Sequence, residues 1–189
     1  MALIAKKDNI DNDKKWFAIY VRSRYEKKVL KLLEDKGVES FLPLITRVKQ
    51  WSDRKKKVIE PLFRSYLFVH IRSKDSNDKE YNDIRFCDGV VRFVSSEGNP
   101  IVVPENQIIA IKKYLEDTDI HDIENYEDIT EGEFVRIKSG HMKGLIGRFT
   151  EIKGKHRLII EIETIGKTIP INVSRSMIEP FRKTSIEQN

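Results

Sequence analysis

The densest chemistry in this sequence lies between Arg47 and Val69. Arg47, Lys49, Arg54, Lys55, Lys56 and Lys57 crowd around a single acid, Asp53, and Trp51 stands among them. Leu62-Phe63 and Tyr66-Leu67-Phe68-Val69 follow at once, apolar and rich in aromatics. A basic finger suits a phosphate backbone, where lysines supply sequence-independent, salt-sensitive affinity. A charge run is more commonly a solvated turn, and this composition would also pass for a localisation patch. What the aromatics add to the cations is therefore the question the rest of the chain must answer.

Other reactive residue types are sparse. His70, His121, His141 and His156 are scattered and have no companion cysteine pair, whereas a zinc site needs about four ligands at characteristic spacing. Cys87 stands beside Asp88 and reads as a structural thiol. Gly140, Gly144 and Gly147 are not followed by Gly-Lys-Ser/Thr, and strands flank them instead of a helix. They read as positive-φ and close-packing corners, not as a phosphate loop. No set of acid, base, nucleophile or metal ligands converges, so neither an enzyme nor a cofactor is expected.

The elements that must position these residues follow from patterning. The spacing predicts a strand over Trp16–Val21, then a capping box, Ser23-x-x-Glu26, opening a helix with Tyr25, Val29, Leu32 and Leu33 on one face and Gly37 at its end. Val38–Leu42 is extended. Ile45–Trp51 and Val58–Phe63 form a hairpin whose tip is the basic segment, and Ser65–Ile71 is a central strand. Residues 76–88 suggest a helix ended by Gly89, Val90–Val94 a strand, and Glu97–Pro100 a turn. Pro104 opens a helix in which Ile108, Ile111 and Leu115 share a face. This order describes helices packed on a mostly antiparallel sheet.

Strand alternation sets Tyr66 and Phe68 on one side, and Trp16 and Tyr20 share parity. If these strands are neighbours, one sheet face becomes aromatic. Helices cover only the other face, so the aromatic one is expected to lie open as a protein-binding patch.

Charge marks the domain plan. The 189 residues hold 35 Lys/Arg against 30 Asp/Glu, a net of +5. Residues 1–116 carry 24 and 17, residues 117–130 none and 6, and residues 131–189 carry 11 and 7. Two basic blocks thus flank an acidic connector, which reads as a flexible linker between modules that meet polyanions. Beyond it, Gly132–Lys138, Arg148–Ile152, Arg157–Ile162 and Lys167–Val173 alternate as short strands of a small SH3-like barrel. The single cysteine suits a reducing compartment. The first fifteen residues hold no apolar stretch fit for a signal peptide, and no apolar run approaches a membrane span. A soluble cytoplasmic protein is expected.

Three stretches together resemble one family. They are Trp16-Phe-Ala-Ile-Tyr-Val-Arg-Ser-Arg-Tyr-Glu-Lys-Lys, then Pro61-Leu-Phe-Arg-Ser-Tyr-Leu-Phe-Val69, then Gly132-x-x-Val-Arg-Ile-x-x-Gly140-x-x-x-Gly144-x-x-Gly147. Their order is similar to that of the NusG transcription elongation factors, whose C-terminal domain carries the third stretch as its KOW motif. The resemblance implies an α+β chain: a ferredoxin-like α/β sandwich over 14–116, an acidic linker over 117–130, and an SH3-like β-barrel KOW domain over 131–182. It implies that Trp16, Phe17, Tyr20, Phe63, Tyr66 and Phe68 dock onto the clamp helices of RNA polymerase. It implies that Arg22, Arg24, Arg54, Lys55, Lys56 and Lys57 lie against DNA, both the non-template strand and the upstream duplex. His141, Met142 and Leu145 would meet a ribosomal protein or termination factor through the KOW domain.

General members carry Pro-Gly where this chain has Arg64-Ser65. Its PLF..YLFV stretch is closer to specialised paralogs of the RfaH type, and YVRSRYEKKV with QWSDRKKKV resembles the UpxY group. That points to an operon-specific antiterminator, working as a monomer on a capsular or surface polysaccharide operon. A housekeeping elongation factor and a ribosome- or RNA-binding KOW protein are the rival readings. RfaH-type proteins can store the second domain as a helical hairpin, but the β-branched residues from Ile159 to Val173 favour strands.

Overall fold

A computed structural model describes residues 3–4, 13–50, 55–72, 78–116, 132–152 and 155–181. The chain divides into two compact units, Met1–Glu105 and Asn106–Asn189. The acidic connector over 117–130 lies outside the described residues.

The first unit runs β1 (Leu3–Ile4), β2 (Lys15–Val21), α1 (Glu26–Asp35), β3 (Glu39–Leu42), β4 (Leu44–Gln50), β5 (Lys55–Pro61), β6 (Tyr66–Ile71), α2 (Lys79–Arg85) and β7 (Val90–Phe93). The short β8 (Ser95–Ser96), β9 (Asn99–Pro100) and β10 (Val102–Val103) close it. An antiparallel sheet has the order β1-β3-β6-β2-β10, with β7 also paired to β2. Alternation sends Phe17, Ile19 and Val21 of β2 and Leu67, Val69 and Ile71 of β6 to one side. There they join Val29, Leu30 and Leu33 of α1 and Ile84 of α2 in one apolar core. β4 and β5 stand apart as a two-stranded hairpin in which Gln50 faces Lys55. Lys55, Lys56 and Lys57 therefore belong to a strand, not to the tip, and residues 51–54, Arg54 included, lie outside the described residues.

The start of α1 departs from the expected capping box. Tyr25 is the N-cap and no side chain caps the helix. Glu26 is instead buried, and its Oε1 accepts the backbone N–H of Ser65 at 2.9 Å. The reason lies across the sheet: Ser65 has φ +65°, a conformation that favours glycine, and its carbonyl accepts from Val21 at 2.9 Å. The carboxylate spent on that turn is no longer available to its own helix end. Two thermal melts test this. Ser65→Gly raises stability by about 1 kcal/mol through relief of the left-handed backbone. Glu26→Ala lowers it by about 1–3 kcal/mol, since a buried N–H is left unpaired.

α3 (Glu105–Glu116) follows Pro104, and its stripe of Ile108, Ile111, Tyr114 and Leu115 is buried. The division between the units falls at its first residues. The second unit continues with β11 (Glu133–Ile137), β12 (Ile146–Ile152), β13 (Lys155–Ile162), β14 (Lys167–Asn172) and β15 (Ile178–Pro180), an antiparallel sheet of order β14-β13-β12-β11-β15. Val135, Ile137, Leu158, Ile160, Ile169 and Ile171 fill its inner side. Among its described residues the segment is built of strands joined by short 3-10 turns at Glu163–Ile165 and Arg175–Met177, as its β-branched content predicts, and not of a helical hairpin. Gly147 is held by close approach: a Cβ there would run into the Ile159 carbonyl oxygen. Gly147→Ala is expected to cost about 1–3 kcal/mol, seen as a lower melting temperature of the barrel signal in near-ultraviolet circular dichroism. Among the described residues no helix is long and apolar enough to cross a membrane.

Candidate functional site

The sheet side opposite α1 and α2 is aromatic. Register places Trp16 opposite His70, Ala18 opposite Phe68 and Tyr20 opposite Tyr66, while Phe41 of β3 pairs with Phe68. The rings touch in series. Trp16 stacks on His70 at 4.6 Å between centroids, Phe41 stacks on Phe68 at 6.0 Å, and Phe63 meets Phe68 edge-on at 6.4 Å. Tyr20 and Tyr66 form a T-shaped pair at 5.4 Å.

Two expectations change here. Phe17 does not share this face: it sits in the helix-side core, edge-on to Phe93 at 6.4 Å, because adjacent residues of a strand point to opposite sides. Nor is the face an open patch. Trp16, Phe63 and Phe68 are 3%, 4% and 0% exposed, whereas Tyr20 and Tyr66 are half-buried. Phe41, which no sequence motif singles out, joins the cluster at 0% exposure and meets Trp16 edge-on. What reaches the surface is a row across three strands. Tyr66 on β6 pairs with Tyr20 on β2, which pairs with Arg92 on β7, whose guanidinium lies 5.7 Å from the Tyr20 ring centre. Arg92 escapes sequence reasoning because only its strand parity, invisible without the pairing, brings it beside Tyr20.

The cations gather on the side of α1 and the hairpin. Lys55, Lys56 and Lys57 are exposed along β5, and the Lys27 ammonium reaches from α1 to the Ile59 carbonyl at 3.5 Å. Between them a cleft of about 460 Å³ is lined by Arg24, Lys27, Arg64 and Glu60, among others. Glu60 lies 3.8 Å from Arg64 and 3.9 Å from Arg47, so part of this charge is answered within the fold. Arg24 belongs to this cleft, with φ +66° turning the chain ahead of α1. Lys27 and Arg64 are additions that the linear charge run does not reveal.

Arg22 is placed differently. It lies 3.7 Å from Asp88, which also accepts a 2.7 Å bond from Lys28, and its guanidinium sits 5.9 Å from the Tyr25 ring centre. The Lys28 hydrogen bond holds the Asp88 carboxyl below its ordinary value and raises Lys28 in turn. A depressed folded-state value means that the stability contributed by Asp88 is present above its unfolded pKa and is lost as pH falls through the folded one. Asp88→Asn should therefore flatten the acid limb of a stability-versus-pH curve below about pH 4, with a small effect that salt screens because the pair is exposed.

In the second unit His141 is exposed on the loop between β11 and β12, whereas Met142 and Leu145 are buried. The loop is pinned by Gly144 donating to the Ile137 carbonyl (2.8 Å) and Ile137 donating to the Leu145 carbonyl (2.9 Å). Gly140 and Gly144 hold positive φ of 78° and 89° at its corners. Cys87, just past the end of α2, is buried, and burial pushes its thiol up, which keeps it protonated and a poor nucleophile. Among the described residues no three His, Cys, Asp or Glu side chains gather as metal ligands.

A family described as transcription termination factor NusG matches residues 14–112. The chain is 30% identical over 182 residues to the transcription termination/antitermination protein NusG of Staphylococcus epidermidis, covering 88% of this chain and 95% of that protein. The protein of the same description from Staphylococcus aureus gives the same figures. Among solved structures, NusG of Thermotoga maritima is 26% identical and covers 89% of this chain and 98% of that one, with a TM-score of 0.47.

Proposed function

The chain belongs to the NusG family of transcription termination/antitermination factors, and from that premise we propose that it is an elongation and antitermination factor that rides on RNA polymerase. The observation that carries this reading is the Tyr66–Tyr20–Arg92 row: polar-tipped aromatics and an arginine reach the surface together at the edge of a cluster of rings, the residue types that dominate protein interfaces. Trp16 and Phe68 share the tyrosines' sheet face, with Phe63 edge-on to Phe68, and the polymerase clamp helices are the surface this face meets. Arg24, the hairpin lysines Lys55, Lys56 and Lys57, and Arg54 lie against upstream duplex and non-template DNA, and Arg22 extends that contact. His141, above Met142 and Leu145, offers the barrel loop to a ribosomal protein or termination factor. No chemistry is catalysed; the protein acts by binding, in the cytoplasm.

Within this reading the chain serves a capsular or surface polysaccharide operon. Support comes from Arg64-Ser65 in place of Pro-Gly, where Ser65 holds a glycine-type turn and donates its N–H to Glu26. A second reading, a general elongation factor, is favoured by the 30% identity to staphylococcal NusG across most of both chains. Crosslinking occupancy of the tagged protein across its host genome separates them. Signal confined to a few long operons from near their promoters supports the dedicated role. Signal that follows polymerase over most genes supports the general one, and no polymerase-linked signal overturns both.

A further inference from the structure

One turn in the first unit sends its side chains in three directions. The backbone N–H of Tyr66 donates to the Phe63 carbonyl at 3.3 Å, which closes residues 63–66 into a tight turn. Phe63 enters the ring cluster, edge-on to Phe68. Arg64, with 76% of its side chain exposed, lines the basic cleft beside Glu60. Tyr66 opens β6 opposite Tyr20. All three directions depend on Ser65, whose φ of +65° suits glycine and strains a residue with a side chain.

Two bonds hold Ser65 in that conformation. Its carbonyl accepts from the Val21 N–H at 2.9 Å, and its own N–H donates to Glu26 Oε1 at 2.9 Å. The first bond runs backbone to backbone and needs no particular side chain. The second depends on one carboxylate. Glu26 is 5% exposed, a depth at which a carboxylate is seldom found without a partner. It stands in the first turn of α1, where the helix dipole favours negative charge, and it reaches a turn 39 residues away.

We propose that Glu26 is a positioning residue for polymerase docking: by holding the Ser65 N–H it keeps the turn left-handed and so sets Tyr66 against Tyr20. It acts through the turn and not by contact with polymerase. This role presupposes that the tyrosine row is the docking surface. Without the bond, Ser65 relaxes toward negative φ, which rotates the peptide leading into Tyr66 and carries its ring away from Tyr20. Glycine at this position would hold the turn unaided, so the need for Glu26 comes with the serine.

The test compares the full chain with Glu26→Ala, Glu26→Gln, and Glu26→Ala combined with Ser65→Gly, each well below its melting temperature. Affinity for RNA polymerase is measured per folded molecule, and nuclear Overhauser contacts report whether the Tyr20 and Tyr66 rings still meet. Glu26→Ala is expected to lose those contacts and to weaken binding about tenfold. Glu26→Gln keeps an oxygen able to accept the same bond and should bind nearly as well as the unaltered chain. Adding Ser65→Gly to Glu26→Ala should restore ring contacts and binding, even where the melting temperature stays low. Ring contacts that survive in Glu26→Ala, an affinity per folded molecule that does not change, or a double variant as weak as Glu26→Ala would each overturn the proposal. An unaltered chain that fails to bind polymerase overturns the docking role itself, whereas the ring contacts alone still decide whether Glu26 sets the turn.

Discussion

Replacing Tyr20 and Tyr66 together by alanine is expected to abolish co-purification with RNA polymerase while leaving the fold intact. Both rings are half-buried at the accessible end of the aromatic face, so truncation removes interface area without opening the fully buried core around Phe41 and Phe68. Interface aromatics of this kind carry about 2 kcal/mol or more each, so the pair should weaken binding by roughly several hundred-fold. Tyr→Phe at both positions keeps the rings and should lose far less. Phe17→Leu provides the contrast: Phe17 lies in the helix-side core, so the change should lower the melting temperature and leave polymerase affinity per folded molecule unchanged. Equal loss from Phe17→Leu, or full binding by the double alanine variant, would place the docking surface elsewhere. Retained ribosome association with no polymerase dependence would then favour the ribosomal reading.

The second large effect concerns the hairpin. Lys55, Lys56 and Lys57 project from β5, whose register with Gln50, Lys49 and Val48 fixes their spacing. Changing all three to alanine should weaken DNA binding uniformly across sequences. The slope of log affinity against log salt should drop by about one unit for each phosphate that no longer meets a lysine. Neighbouring strand residues point to opposite sides, so Lys56 should be separable from Lys55 and Lys57: the single and double variants are expected to divide the slope change unequally. Loss of binding at one DNA sequence alone would mean that these lysines read bases, contrary to their assignment.

Much of this architecture is legible from residue order. The strand–helix–hairpin–strand order, the helix after Pro104 and the predominance of strands among the described residues of 133–180 follow from local periodicity and turn residues, and the structure has them. Glycine corners are likewise readable, because Gly140 and Gly144 take positive φ and Gly147 meets a neighbouring carbonyl. The capping box is legible as a motif and absent as a hydrogen bond. A local motif competes with every distant group that its side chain can reach, and Glu26 finds the N–H of Ser65, which is 39 residues away along the chain.

What the sequence by itself determined, then, is the order of the longer strands and helices, the two basic blocks around an acidic connector, and the parity that puts Trp16, Tyr20, Tyr66 and Phe68 on one side. Tertiary structure alone decided which of those rings meet solvent, that Phe41 and Arg92 join them, that Phe17 does not, and that Arg24 shares a cleft with Lys27 and Arg64. The physical reason is that alternation and capping are properties of a chain and its nearest neighbours. Exposure and charge clustering depend on which strand lies beside which, and that is settled only when the whole sheet pairs and its core closes.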